Sequence, residues 1–111
     1  MNSTQLDSVF SALSDSTRRG MLAQLAKGET NITALAEPYN ISQPAISKHI
    51  RVLERAGLIE KKKQGREYLI RANPAPAEHA RDWIAYYTRF WNEQFDAVDD
   101  YLKQNREQNE S

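Results

Sequence analysis

The chain contains no cysteine. That excludes disulfides, thiolate metal sites and cysteine nucleophiles together, and it fits a cytoplasmic protein. Its four glycines make no phosphate-cradling loop, and no acid–base pair stands at a catalytic spacing, so an enzyme is not expected. Long apolar runs are missing and residues 1–5 are polar, which predicts neither a signal peptide nor a membrane span. Charge of one sign is missing as well, since fifteen basic residues balance fifteen acidic ones. What remains is 111 residues, 40% of them hydrophobic. This suits one small domain with a modest core, for which a long apolar helix would need a partner.

The balanced charge hides a division along the chain. Residues 1–41 carry three basic and four acidic groups, a net of −1. Residues 42–71 carry eight basic groups against Glu54, Glu60 and Glu67, a net of +5. Residues 72–111 carry four against eight, a net of −4. One stretch of thirty residues is therefore built to meet an anion.

Apolar periodicity predicts helices over about 4–13 (Leu6, Val9, Phe10, Leu13) and then after Ser14-Asp15-Ser16 (Met21, Leu22, Leu25), the latter closed by Gly28. A short third helix follows Asn31 as cap and closes at Tyr39-Asn40, three or four residues before a fourth. The fourth starts at Ser42 with Pro44 in its first turn, buries Ile46, Ile50 and Leu53, and stops at Gly57. Two helices so closely joined have helix-turn-helix geometry, over about 32–56. The period then becomes alternating. Leu58–Lys62 and Glu67–Ile70 read as strands joined through Lys63-Gln64-Gly65-Arg66, a hairpin over 58–71. After Asn73-Pro74-Ala75-Pro76 a last helix runs over about 77–103, and 104–111 is expected to be a disordered tail.

Opposite its apolar stripe, the fourth helix carries Pro44, Ser47, Lys48, Arg51 and Arg55, with Gln43 and Ala45 flanking the first turn. Glutamine and serine, here including Ser42, can read base edges. Alanine and proline can touch thymine methyls, and lysine and arginine can hold phosphates. Such a helix is also compatible with an ordinary solvated surface. The basic tip that follows it, Lys61, Lys62, Lys63, Gln64 and Arg66, supports the nucleic-acid reading, because a cationic hairpin beside a helix-turn-helix acts as a wing on the duplex. Arg18 and Arg19, at the start of the second helix, could touch phosphate, but a cation pair there more often salt-bridges nearby acids, so they are secondary candidates. His49, at the edge of the buried stripe, is expected to be half-buried and hydrogen-bonded between helices.

Val9-Phe10-Ser11-Ala12-Leu13-Ser14-Asp15-Ser16-Thr17-Arg18-Arg19, Leu35-Ala36 and the run Ile41 to Ile59 resemble the ArsR (arsenic-repressor type) family of bacterial winged-helix transcriptional regulators. The most specific stretches are Ser47-Lys48-His49-Ile50 and Ala56-Gly57-Leu58, and the resemblance covers about residues 6–102. It implies a homodimer that places the fourth helix of each subunit in a major groove of a pseudo-palindromic operator, usually to repress transcription. The family's thiolate sensors carry a Cys-x-Cys pair where this chain has Asn31 and Thr33. A second family metal site, on the last helix, uses histidines and carboxylates. The chain offers Glu78, His79 and Asp82 there, with no second histidine near residue 92. The resemblance is thus to the branch that does not sense metals. No metal or cofactor is expected, and the identity of any small-molecule effector is open.

The last helix is rich in aromatics. Trp83, Ile84, Tyr87, Phe90, Trp91, Phe95 and Val98 form a face broader than one small domain can cover. With Phe10 they are the expected dimer interface. A pocket for a lipophilic effector among these rings, or a face for another protein's helix, are the alternatives. The whole reads as a mainly α protein with a small β-hairpin: a single winged helix-turn-helix DNA-binding domain over 1–103, ending in a long C-terminal dimerisation helix.

Overall fold

A computed structural model describes residues 2–110. Helix α1 (Ser3–Leu13) opens on a reciprocal capping box, in which the Asn2 side chain accepts from the Gln5 amide and the Gln5 side chain from the Asn2 amide. Helix α2 (Ser16–Leu25) is capped by Asp15. Strand β1 (Thr30–Asn31) leads directly into α3 (Ile32–Ala36), whose cap is the Asn31 side chain accepting from Ala34 N–H at 2.8 Å. Helix α4 (Gln43–Arg55) starts on Ser42, which accepts from Ala45 N–H, and carries a proline in its first turn. Strands β2 (Ile59–Gln64) and β3 (Glu67–Ala72) then form the hairpin, and α5 (Ala75–Glu110) closes the chain.

Helix α3 is shorter than its sequence suggested, so six residues (37–42) separate it from α4. Pro38 is the reason. It has no N–H to give to the carbonyl of Ala34, four residues back. The Gln24 side chain of α2 donates to that carbonyl instead, at 3.2 Å. The hairpin turn is also tighter than expected. Gln64 pairs with Glu67, leaving only Gly65-Arg66 at the tip. Gly65 has φ +64°, and no non-glycine among the described residues has positive φ. Glycine first and a negative φ second is the signature of a type II′ turn, whose twist matches the strands.

Strand β1 is an addition that two residues without a period could not announce. It pairs antiparallel with β3, Thr30 opposite Ile70, giving a three-stranded sheet in the order β1-β3-β2. Between α4 and β2 the chain makes a Schellman turn. Gly57 N–H donates to Glu54 O and Leu58 N–H to Leu53 O, with Gly57 at φ +75°. Leu58 then drops into the core beside Val9, Met21, Leu35, Ile46, Leu53 and Ile70, all 2% exposed or less.

The described residues fall into two compact units, one up to Ala80 and one from Arg81 onward. The start of α5 belongs to the first unit, with Ala80 buried in its core. The helix has 36 residues, about 54 Å at 1.5 Å each. It also runs on through 104–110, which were expected to be structureless, while Ser111 lies outside the described residues. Glutamine, arginine and glutamate in that stretch are good helix formers, and a nucleated helix propagates through them at little cost.

Candidate nucleic-acid interface

Helix α4 has two unlike sides. At about 100° per residue, buried Ile46, Ile50 and Leu53 and half-buried Ala45, His49 and Val52 share one side. Gln43, Pro44, Ser47, Lys48, Arg51, Glu54 and Arg55 are exposed and occupy an arc of about 140° on the other. Ser42 is exposed just before the first turn. The structure thus brings Ser42, Gln43, Pro44, Ser47, Lys48 and Arg51 to one surface. Ala45 alone of the helix candidates sits off it, at the margin of the packed side. Lys48 and Arg51 make no ion pair among the described residues.

In the hairpin, alternation divides the three consecutive lysines between two faces. Lys61 and Lys63 share the face of buried Ile59, whereas Lys62 and Gln64 lie on the other. Arg66 is at the tip. Lys62, Lys63 and Arg66 have no ion pair among the described residues, but Lys61 does, with Glu54 of α4. On the opposite face Arg71 and Glu60, paired across the strands, meet at 2.8 Å.

Two arginines singled out from the sequence are occupied elsewhere. Arg18 donates through Nε to Ala12 O (2.8 Å) and through Nη2 to Ser11 O (3.0 Å), and Arg19 donates through Nη1 to Leu13 O (2.8 Å). Ala12 O and Leu13 O are carbonyls that α1 leaves open at its C-terminus, whereas Ser11 O also accepts from Ser14, and a cation there meets the negative end of the helix dipole. Arg18 Nη1 lies 3.1 Å from His49 Nδ1, tying α2 to α4. His49 is therefore the half-buried link between helices that its position suggested. Asp15 completes this cluster, 3.8 Å from the same His49 nitrogen. The Arg18 backbone N–H, donating to its carboxylate, holds the Asp15 pKa below the usual aspartate value. The His49 and Arg18 charges add to that effect, against some desolvation.

Phe10 is half-buried and packs against the core. Trp83, Ile84, Tyr87, Phe90, Trp91, Phe95 and Val98 are all 43–63% exposed. Their rings follow one another along α5: Trp83 stacks on Tyr87 at 5.5 Å, and Trp91 meets the edges of Tyr87 and Phe90. Asn31 is spent as the α3 cap. Among the described residues no group of three His, Asp or Glu side chains is placed to hold a metal ion. Among the described residues, too, no helix is long and apolar enough to cross a membrane.

An apolar-backed helix with amide, hydroxyl and cationic groups outward, turning at once into a basic hairpin, defines a winged helix-turn-helix, the architecture of a DNA-binding regulator. Residues 15–61 match the model of the family described as "Bacterial regulatory protein, arsR family". Over 79 residues, 71% of this chain and 88% of the relative, the sequence is 33% identical to the transcriptional repressor SdpR of Bacillus subtilis (strain 168). The crystal structure of the ArsR family transcriptional regulator RHA00566 is similar with a TM-score of 0.78 at 34% identity, over 83% of this chain and 95% of that one. The homodimeric winged helix-turn-helix DNA-binding domain of Mb0332 from Mycobacterium bovis shares the fold, with a TM-score of 0.59 at 24% identity, over 83% and 82%. The chain belongs to the arsR family of bacterial transcriptional regulators, and it is a regulator rather than an enzyme.

Proposed function

We propose that the protein is a homodimeric, sequence-specific repressor, each subunit laying α4 in a major groove of a pseudo-palindromic operator. The observation that carries this reading is the exposed arc of α4, on which Gln43, Pro44, Ser47, Lys48 and Arg51 stand free on an apolar-backed helix. Gln43 and Ser47 read base edges, Pro44 and the margin residue Ala45 meet thymine methyls, and Ser42 with the helix N-terminus holds a phosphate. Lys48 and Arg51 hold the backbone of the same groove, while Lys62, Lys63, Gln64 and Arg66 meet the flanking backbone. The repressor SdpR supports the sense of the regulation, and the homodimeric Mb0332 domain supports the assembly. The aromatic face of α5, with Phe10, is the dimer interface, consistent with the concentration of aromatics in interface cores. The site of action is the cytoplasm, where the DNA is. A small-molecule effector, where one acts, is unassigned.

Fluorescence anisotropy against duplex from the region upstream of the protein's own gene, with a scrambled duplex as control, tests the reading. Lys48→Ala and Arg51→Ala should each weaken binding by about 1–2 kcal/mol, and Gln43→Ala should chiefly relax sequence preference. Folded variants at all three positions that bind like the wild type would sink the assignment. A monomer that binds neither duplex would instead favour a docking module for another protein.

A further inference from the structure

We propose that Glu54, Lys61 and Tyr68 form a brace between the recognition helix and the wing, in which Lys61 positions the hairpin rather than holding a phosphate. The inference rests on the DNA-reading assignment above and concerns how its two contact elements keep their spacing. Helix α4 and strand β2 are separated only by Ala56-Gly57-Leu58, so a small rotation at the Gly57 turn swings the hairpin tip relative to the helix. Something must fix that angle if both are to meet one duplex.

Lys61 is placed to do so. Its Nζ lies 3.9 Å from Glu54 Oε1 of α4 and 5.3 Å from the centroid of the Tyr68 ring on β3. Its side chain is only 28% exposed. Tyr68 sits opposite Lys63 and Lys61 opposite Ile70, so the ring is the diagonal neighbour of Lys61 on the helix-facing side. Glu54 has its own reason to be paired, because it is the one acid on the exposed arc of α4, where an unpaired carboxylate would repel phosphate. Lys61 neutralises it, and the Tyr68 ring quadrupole also attracts the ammonium. One cation thus links three elements, and the remaining wing cations keep their charge for the duplex.

The probe is the duplex that the wild-type protein selects from a random-sequence pool, with affinity followed between about 50 and 200 mM salt. Lys61→Met should lower affinity about three- to tenfold and leave the slope of log K against log salt unchanged. Glu54→Gln should lower it similarly, despite removing a negative charge, and the double variant should fall no further. Lys61→Arg should restore wild-type binding. Lys63→Met, by contrast, should flatten the slope by about 0.9. Flattening by Lys61→Met itself, tighter binding by Glu54→Gln, or wild-type affinity in both would overturn the brace alone. A wild-type protein that selects no duplex at 50 mM salt would overturn the DNA-reading assignment, and the brace with it.

Discussion

Residues 2–80 and 81–106 handle apolar side chains in opposite ways. Of the twelve large exposed hydrophobics among the described residues, only Ile41 and Tyr68 precede residue 81, and the other ten crowd residues 83–102. The first region buries an aliphatic set drawn from α1, α2, α3, α4 and the sheet. Its polar groups are equally well served, since no buried side-chain nitrogen or oxygen among the described residues lacks a partner. The second region keeps its rings against one another and against solvent, a surface that monomeric proteins rarely maintain. The same residue class therefore does two jobs. In one region it specifies a fold, and in the other it forms the exposed face proposed above as the dimer interface.

The strongest way to break the first half of that comparison is Leu53→Ala. Leu53 is fully buried on the inner side of α4, and its loss should cost about 3–5 kcal/mol of unfolding free energy in urea titration. Because a domain of this size has little stability to spare, the variant should be largely unfolded at 37 °C. A cost below about 1 kcal/mol would mean that α4 is not anchored as described. The second half is broken differently. Trp91→Glu, in the middle of the aromatic run, should leave the unfolding of residues 2–80 nearly untouched. It should weaken self-association by about a hundredfold, or about 2.7 kcal/mol, read by sedimentation equilibrium. Unchanged association would remove α5 from the interface.

How much of this was readable beforehand follows the same line between local and long-range causes. Asn31 and Ser42 were visible as helix caps, and Asp15 as one of the three candidates Ser14-Asp15-Ser16, because a cap is a matter of one oxygen standing three residues before a free N–H. Gly57 and Gly65 were visible because left-handed φ values select glycine. The aromatic face was visible from periodicity alone. What escaped depended on partners far off in sequence. Arg18 and Arg19 read as cations that would pair with nearby acids, with phosphate contact second, but they donate to the last carbonyls of α1. Strand β1 exists only because β3 lies beside it, and Lys61 differs from Lys62 and Lys63 only through the face it occupies. The early end of α3 was foreshadowed by Pro38, but the Gln24 side chain that serves the vacated carbonyl was not.

A smaller effect tests the hinge between recognition helix and wing. Gly57→Ala places a Cβ in a backbone with φ +75°, where it also approaches Pro76 Cγ at 3.4 Å. The left-handed conformation should cost about 1–2 kcal/mol in thermal or urea unfolding. The contact with Pro76 is tolerable by itself, so the strain is conformational. Gly57→Asn, better suited to that region, should recover part of the loss. Equal costs for the two variants would point to the Pro76 contact rather than to φ.

The smallest expected effect concerns acid. Asp15 is more acidic in the folded chain than in the unfolded one, chiefly because its carboxylate accepts the Arg18 backbone N–H. The unfolded state therefore binds more protons around the ordinary aspartate pKa, and stability rises with pH through that region. The Asp15 contribution is complete above about pH 5 and disappears as pH falls below about 4. Asp15→Asn keeps a capping oxygen but cannot titrate. The wild type should be slightly more stable than this variant at neutral pH, with the gap closing as the solution approaches pH 3. Parallel unfolding midpoints at both pH values would show that the Asp15 charge contributes nothing beyond its hydrogen bond. A gap that closes would place the charge itself in the Asp15, Arg18 and His49 cluster that fastens α2 to the recognition helix.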